Sequence, residues 1–457
     1  MKISTIILAA GKGTRMRSDK PKVLHAIAHK PLLKHVYDMS SQLHDNTITI
    51  VYGHGGDLLK NTLAELRAIW TEQREQLGTG HAVQQAIPQI ADADKALILY
   101  ADVPLLKLAT VERLLALANS TTLALLTVNL ADPAGYGRIV RNAQSQVEKI
   151  VEEKDATAKE KTIQEVNTGI MVVPGLYLKK WLHALKNTNA QGEFYLTDII
   201  EMAVADQISV VTAQPENEDE VLGVNNRAQL NYLERAYQMQ QATALMSQGV
   251  TLMDASRFDL RGEILAVGQD VIIDVNVVLE GTITLGNNVR IGANCCIKNA
   301  VIADDVEILP NCVIEDAEIG AGSRVGPFAR LRPGTVLAKQ VHVGNFVEIK
   351  KSTVAQGSKV NHLSYIGDTT MGCNVNVGAG TITCNYDGVN KFRTVIEDNV
   401  FIGSNTQLVA PITIAKNATL GAGSTITKDA PENQLTLSRV KQTSIAGWQR
   451  PVKKESN

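Results

Sequence analysis

Two rhythms divide the chain. Up to about Val224, short apolar runs alternate with helical patterns. From Val267 to Ile426, an aliphatic residue returns every sixth position. The first regime contains ISTIILAA (3–10), TITIVYG (47–53), KALILYADVP (95–104), TTLALLTVNL (121–130) and NTGIMVV (167–173). Each reads as a strand bounded by turns. Helical spacing occupies Pro31 to Leu43 and Thr110 to Ala118, among others. Such alternation predicts a largely parallel sheet covered on both faces. Between the regimes, Leu230, Leu233, Tyr237, Ala244 and Leu245 recur near helical spacing and Gly249 is a plausible stop. One connecting helix is predicted.

The second rhythm runs Val267, Ile273, Leu279, Leu285, Ile291, Ile297. It slips by one to Ile302, Ile308, Ile314, and again to Ile319, Val325, Leu331, Leu337, Val343, Ile349. Val354, Val360, Ile366, Met371 and Val377 follow. After the insertion CNYDGVNKFRT it resumes at Ile396, Ile402, Leu408, Ile414, Leu420 and Ile426. A period of six fits neither a helix nor a flat strand. It fits a solenoid with three six-residue sides per coil, aliphatic residues inward and small residues at the corners. So narrow a prism excludes large rings, which accounts for an aromatic share of only 4%.

Composition narrows the classes. At 457 residues, two or three domains are expected. Lys+Arg 45 against Asp+Glu 47 gives a net charge of -2, against a global nucleic-acid or membrane binder. Neither a membrane span nor a signal-peptide pattern is read, so the cytoplasm is the expected location. The five cysteines, Cys295, Cys296, Cys312, Cys373 and Cys384, form no CxxC pair and are expected as buried free thiols.

The chemistry starts at the first turn, AAGKGTRMRSDKPK. Gly11 and Gly13 sit as in a dinucleotide fingerprint, but Met16 takes the third glycine position. A strand, glycine turn and helix present backbone N–H groups to phosphate. The surplus cations Lys12, Arg15, Arg17 and Lys22 suit a triphosphate losing pyrophosphate. Asp102, ending an apolar strand, lies where open α/β sheets bind ligands.

LAAGxGxRM with PK resembles the sugar-nucleotide pyrophosphorylases. QLGTGHA (76–82), YADVP (100–104), GYGR (135–138), VEEKDA (151–156), NTG (167–169) and GVNNR (223–227) extend the likeness in order. With the hexapeptide half, the chain resembles the bacterial bifunctional N-acetylglucosamine-1-phosphate uridylyltransferase/glucosamine-1-phosphate N-acetyltransferase family over nearly its whole length. The resemblance implies a Rossmann-like α/β nucleotidyltransferase domain (1–226), a linker helix (227–249) and a left-handed parallel β-helix acetyltransferase domain (250–457). It implies homotrimers, small-molecule substrates, and no nucleic-acid or membrane partner.

For uridylyl transfer, the resemblance implies that Leu8, Ala9, Ala10 and Gly11 contact UTP, with Gln73, Gly78 and Thr79 around uracil. Tyr100, Ala101, Gly137, Glu152 and Asn167 surround the sugar. Asp102 and Asn225 hold Mg2+, and Arg15 and Lys22 neutralise phosphate oxygens. Ala101 stands where the family usually has glycine, and its methyl is expected to crowd the sugar slightly. For acetyl transfer, His362 is the base, suited to taking an amine proton near neutral pH. Arg332 and Lys350 hold the sugar phosphate; Tyr365, Asn376, Asn385 and Tyr386 place the sugar. Ala379, Ser404, Ala422 and Arg439 hold acetyl-CoA, and Ser404 is also a candidate for stabilising the thioester oxyanion. Residues 385–393 are a candidate loop toward a neighbouring subunit. The product implied is UDP-N-acetylglucosamine. The alternatives are a single-activity nucleotidyltransferase with a regulatory or oligomerising β-helix, and a purely structural trimeric solenoid.

Overall fold

Parallel strands buried on both faces order the first unit. The computed structural model describes residues 1–453 apart from Lys12 and His54. Lys12, one of the surplus cations of the first turn, thus lies outside the described residues. The chain divides into two compact units, 1–238 and 239–457. The division falls inside the helix Arg227–Ser247.

In the first unit, β1 (Ile3–Ala9), β2 (Asn46–Tyr52), β3 (Ile69–Glu72), β4 (Lys95–Tyr100), β5 (Thr122–Asn129), β6 (Arg138–Arg141), β7 (Val147–Val151), β8 (Glu165–Pro174) and β9 (Ser209–Ala213) share one sheet. The order is β9-β5-β8-β4-β1-β2-β3, with β6 paired to β8 and β7 to β6. β8 runs antiparallel to β4 and β5, and β6 runs antiparallel to β7. The remaining pairs along the path are parallel. Pleating divides each central strand between two cores. Leu97 and Leu99 join one with Ile7 and Leu126; Ala96 and Ile98 join the other with Ile6 and Leu125. Parallel pairing also brings the carboxyl ends of β1, β2, β3 and β4 to one edge. The predicted strands are all present, and β3, β6, β7 and β9 are additional. These four are short or polar, too weak in period to read beforehand.

In the second unit, parallel ladders repeat mostly at 17 or 18 positions, three sides per coil. Ile273 pairs Ile291, then Ile308, then Val325. The one-residue slips in the six-residue rhythm are the 17-residue coils. Every residue of the beat from Ile273 to Ile426 is buried, and Val267 packs half-buried at the start. A methyl on Gly344 would lie 1.9 Å from the Asn361 carbonyl oxygen of the next coil, so that strand position admits only glycine. The insertion lengthens one coil, carrying Cys373 to Asp398 across 25 positions.

The prism excludes rings from its interior, with Phe258 near its start as an exception. Left-handed corners recur at Asn276, Asn294 and Asn311, and at Asn374, Asn399 and Asn417. Asparagine tolerates this conformation. Its amides also bond from coil to coil: Asn276 to Asn294 at 3.0 Å, and Asn417 to Asn433 at 2.9 Å. The thiol expectation needs correction. Cys295 and Cys312 are buried inside the prism, but Cys296 is exposed and Cys373 and Cys384 are half-buried. Cys296 directly follows an inward position, and the pleat turns it outward.

Replacing Ile349, fully buried on the six-residue beat, with alanine is expected to destabilise the protein by about 2–5 kcal/mol. Urea unfolding reads this as a lower midpoint; an unchanged midpoint would contradict an inward, tightly packed beat.

Candidate functional sites

A cavity of about 430 Å³ opens at the carboxyl edge of the first unit's sheet. Leu8, Ala9, Ala10, Gly11, Lys22, Gln73, Gly78, Thr79, Tyr100 and Asp102 line it. These are most of the residues implicated for nucleotide transfer. A second cavity, about 240 Å³, shares Tyr100 and Asp102 and adds Arg15, Tyr136, Gly223 and Asn225.

The first turn owes its shape to three residues. Gly13 adopts φ 62°, and a β-carbon there would lie 2.7 Å from that of Lys22. Met16 is buried against Ile27, Leu32, Leu105, Val224 and Leu233. It therefore anchors the turn where a dinucleotide fold would keep a third glycine. Gly11 has open space where a side chain would project. No packed neighbour therefore requires its smallness, and it lines the cavity.

Lys22 bridges the two proposed metal ligands. Its ammonium pairs with Asp102 Oδ2 and donates to Asn225 Oδ1 at 3.1 Å. Val224 N–H donates to the Asp102 carbonyl at 2.8 Å, which ties the two segments together. Gly223 projects no side chain over them. Gln73 is buried; its amide donates to the Gly78 carbonyl at 3.1 Å and meets His81 Nδ1 at 3.1 Å.

The proposed sugar residues form a neighbouring group. Asn167 N–H donates to the Gly137 carbonyl at 2.8 Å, and Thr197 Oγ1 donates to Glu152 Oε1 at 2.9 Å. Burial pushes the Glu152 carboxyl above its ordinary pKa. Burial, then Glu152 and Asp102, push the Tyr100 phenol up. Gly169, at φ 82°, leaves room for the Tyr100 ring, which a β-carbon would approach to 2.4 Å. Ala101 is fully buried in the core beneath the edge and is not among the residues that line either cavity.

In the second unit, the repeat stacks the candidate acetyl-transfer residues into columns. His362 pairs Asn345 one coil earlier, and its Nδ1 meets Asn345 Oδ1 at 2.9 Å. With the proton on Nδ1, that bond leaves Nε2 as the free base. Gly380 N–H donates to the His362 carbonyl, Asn405 N–H to Ala379, and Gly423 N–H to Ser404. Arg439 Nη1 donates to the Ala422 carbonyl at 3.0 Å. Ala379, Ser404, Ala422 and Arg439 thus continue the His362 column.

One side of the coil away, Arg332 pairs Glu348 at 2.8 Å. Lys350 lies beside Lys391, whose contact lowers its pKa, with burial and Arg332 acting in the same direction. Asn385 donates to Asp368 Oδ2 at 2.5 Å. Tyr365 lies between the columns with its hydroxyl over Gly367. Asn376 is half-buried and pairs Lys359, in the ladder whose strand Lys359–His362 also carries His362. Tyr386 is exposed and its hydroxyl donates to Gly388. Asn345 and Lys391 were absent from the sequence reading. One coil's offset from His362 was the signal for the first, and a cation inside the insertion for the second.

Comparison with known proteins decides the family. A model described as MobA-like NTP transferase domain matches residues 5–192. One for the GMPPB C-terminal domain matches 262–354, and one for bacterial transferase hexapeptide repeats matches 393–428. Bifunctional protein GlmU of Methylococcus capsulatus is 60% identical over 453 residues, covering 99% of this chain and 98% of that protein. The chain belongs to the GlmU family. Its fold is a nucleotidyltransferase domain followed by a left-handed parallel β-helix of hexapeptide repeats. Among solved structures, apo UDP-glucose pyrophosphorylase aligns at 16% identity and TM-score 0.43, covering 53% of this chain and 100% of its own. The UDP-glucose complex of such an enzyme aligns at 17% and 0.42, covering 52% and 98%. No helix among the described residues is long and apolar enough to cross a membrane.

Gly11→Ala separates space from stability. We expect folding to change by less than about 0.5 kcal/mol and UTP affinity to fall about tenfold or more. Calorimetric titration and thermal unfolding measure the two; unaltered affinity would contradict a nucleotide seated over Gly11.

Proposed function

We propose that residues 1–226 carry uridylyl transfer, that 227–249 link the halves, and that 250–457 carry acetyl transfer. The protein is a bifunctional enzyme that makes UDP-N-acetylglucosamine. It transfers acetyl from acetyl-CoA to glucosamine-1-phosphate, then uridylyl from UTP to N-acetylglucosamine-1-phosphate, releasing pyrophosphate. The observation that carries our placement of the first site is the convergence of Leu8–Gly11, Gln73, Gly78, Thr79, Tyr100 and Asp102 on one cavity.

In uridylyl transfer, a sugar-phosphate oxygen attacks the α-phosphorus and pyrophosphate leaves. The attacker is already an anion, so no base is required. Positioning and charge neutralisation supply the rate. Backbone N–H groups of the first turn and the cations Arg15 and Lys22 face the phosphates. Gln73, Gly78 and Thr79 hold the base; Tyr100, Gly137, Glu152 and Asn167 hold the sugar, with Ala101 contributing only backbone. Magnesium fits Asp102 and Asn225: both offer hard oxygens, and the pair already holds one cation. When bound, it would neutralise phosphate charge.

In acetyl transfer, the sugar phosphate lies across one side of the prism. Its phosphate meets Arg332, Lys350 and Lys391; Tyr365, Asn376, Asn385 and Tyr386 position the sugar; its amine reaches His362. Nε2 takes the amine proton as nitrogen attacks the thioester carbon, and coenzyme A leaves as the thiol. Asn345 orients the ring. Ala379, Ser404, Ala422 and Arg439 hold the acetyl donor along the column, and Ser404 can donate to the oxyanion.

These columns lie on an outer surface, so a neighbouring prism must enclose them. We assign a homotrimer. Phe328 and Phe346 stack at 5.3 Å in the column next to that of His362, which continues to Leu363. They are 50%, 56% and 63% exposed, and each has positive φ. A bulky residue in that conformation is costly, and asparagine serves at the equivalent corner of earlier coils. Burial against a second and third copy would offset the cost.

Asp102→Ala is expected to lose uridylyl transfer and keep acetyl transfer, and His362→Ala the reverse, each by about 10²-fold or more. Pyrophosphate release and free-thiol release read the two; equal loss of both in folded protein contradicts separate sites. Phe346→Asp is expected to shift sedimentation from trimer toward monomer and to lower acetyl transfer alone. An intact trimer with full acetyl transfer would overturn the interface.

A further inference from the structure

The ammonium of Lys22 occupies the position between Asp102 Oδ2 and Asn225 Oδ1. We propose that Lys22 is an exchangeable internal cation: it neutralises the metal ligands in the free enzyme and moves to the nucleotide's phosphates when the divalent ion takes its place. The proposal rests on the reading that Asp102 and Asn225 are those ligands.

Three observations carry it. The bridge is partly desolvated, with side-chain exposures of 12% for Lys22 and 17% for Asp102. An uncompensated carboxylate in such surroundings is costly, so a resident cation stabilises the edge. The lysine stem is seated at its β-carbon against Gly13, whose own missing side chain makes the room. Beyond that carbon, the flexible stem lets the ammonium swing. Finally, Lys22 and Asp102 line the same cavity as Leu8–Gly11, so the swing leads toward the phosphate-facing turn without crossing packed core.

An ammonium and a divalent ion cannot both occupy the two oxygens. Metal binding must therefore break Lys22's contacts, and that cost is subtracted from metal affinity. Phosphates that draw Lys22 away lower the cost, which couples nucleotide and metal with positive sign. Lys22 thereby opposes metal binding in the free enzyme and assists phosphate binding in the loaded one.

The test is Mn2+ binding to the full-length protein without nucleotide, followed by electron paramagnetic resonance, with thermal unfolding to verify each fold. Lys22→Met is expected to tighten Mn2+ about tenfold, within the usual range of coupling between sites. Arg15→Met removes a charge from the second cavity, which Asp102 and Asn225 also line, but Arg15 bonds neither oxygen among the described residues. It should change affinity far less. Asp102→Asn should abolish binding at this site in both the wild-type and Lys22→Met backgrounds. If Lys22→Met leaves affinity unchanged or weaker while Asp102→Asn abolishes binding, the exchange is overturned and the metal site stands. Equal tightening by Lys22→Met and Arg15→Met also overturns it, since a general field would then suffice. If Asp102→Asn binds Mn2+ as wild type does, the ligand assignment fails and the exchange fails with it.

Discussion

Parallel strand pairing is the constraint on which both halves depend. A parallel ladder keeps neighbouring strands pointing the same way, so equivalent positions end up side by side. In the first unit this delivers the carboxyl ends of β1, β2, β3 and β4 to one edge, where the first turn, Gln73 and Asp102 meet around a cavity. In the second unit it turns a repeat of 17 or 18 residues into columns, so Asn345 lies under His362 and Ala379 over it.

The two halves manage charge differently because their architectures differ. An open α/β edge has depth, and cations can converge there on several phosphate oxygens. The opening turn shows how: Met16 fastens it to the core, Gly13 admits the Lys22 stem, and Gly11 leaves room for ligand. A triangular prism has no interior to spare, since aliphatic side chains fill it. Its candidate residues lie on the outside, with His362 and the cations Arg332 and Lys350 at opposite ends of one side. The exposed Phe328, Phe346 and Leu363 belong to the same outer surface.

Much of this was legible in the sequence, for physical reasons. The six-residue beat is strict because each inward residue stacks on its equivalent one coil away, and a change of phase would bury a polar side chain. The central strands were legible because burial on both faces leaves them almost wholly apolar. The edge strands β3 and β9 and the pair β6 and β7 carry mixed residues and gave no period. The left-handed corners were illegible too, because asparagine, glycine, phenylalanine and leucine all serve there. The Lys22 bridge joins residues 22, 102 and 225, and spacing alone does not bring such positions together. Lys391 was hidden inside the insertion, and Asn345 becomes visible only once coils are aligned on His362.

The most direct measurement is a crystal structure of the full-length protein with UDP-N-acetylglucosamine and coenzyme A added together. The account predicts the nucleotide sugar in the cavity between Gly11 and Asp102. It predicts coenzyme A along the Ala379, Ser404 and Ala422 column of the prism, leading toward His362. Both ligands sharing one cleft, or coenzyme A bound away from that column, would contradict it.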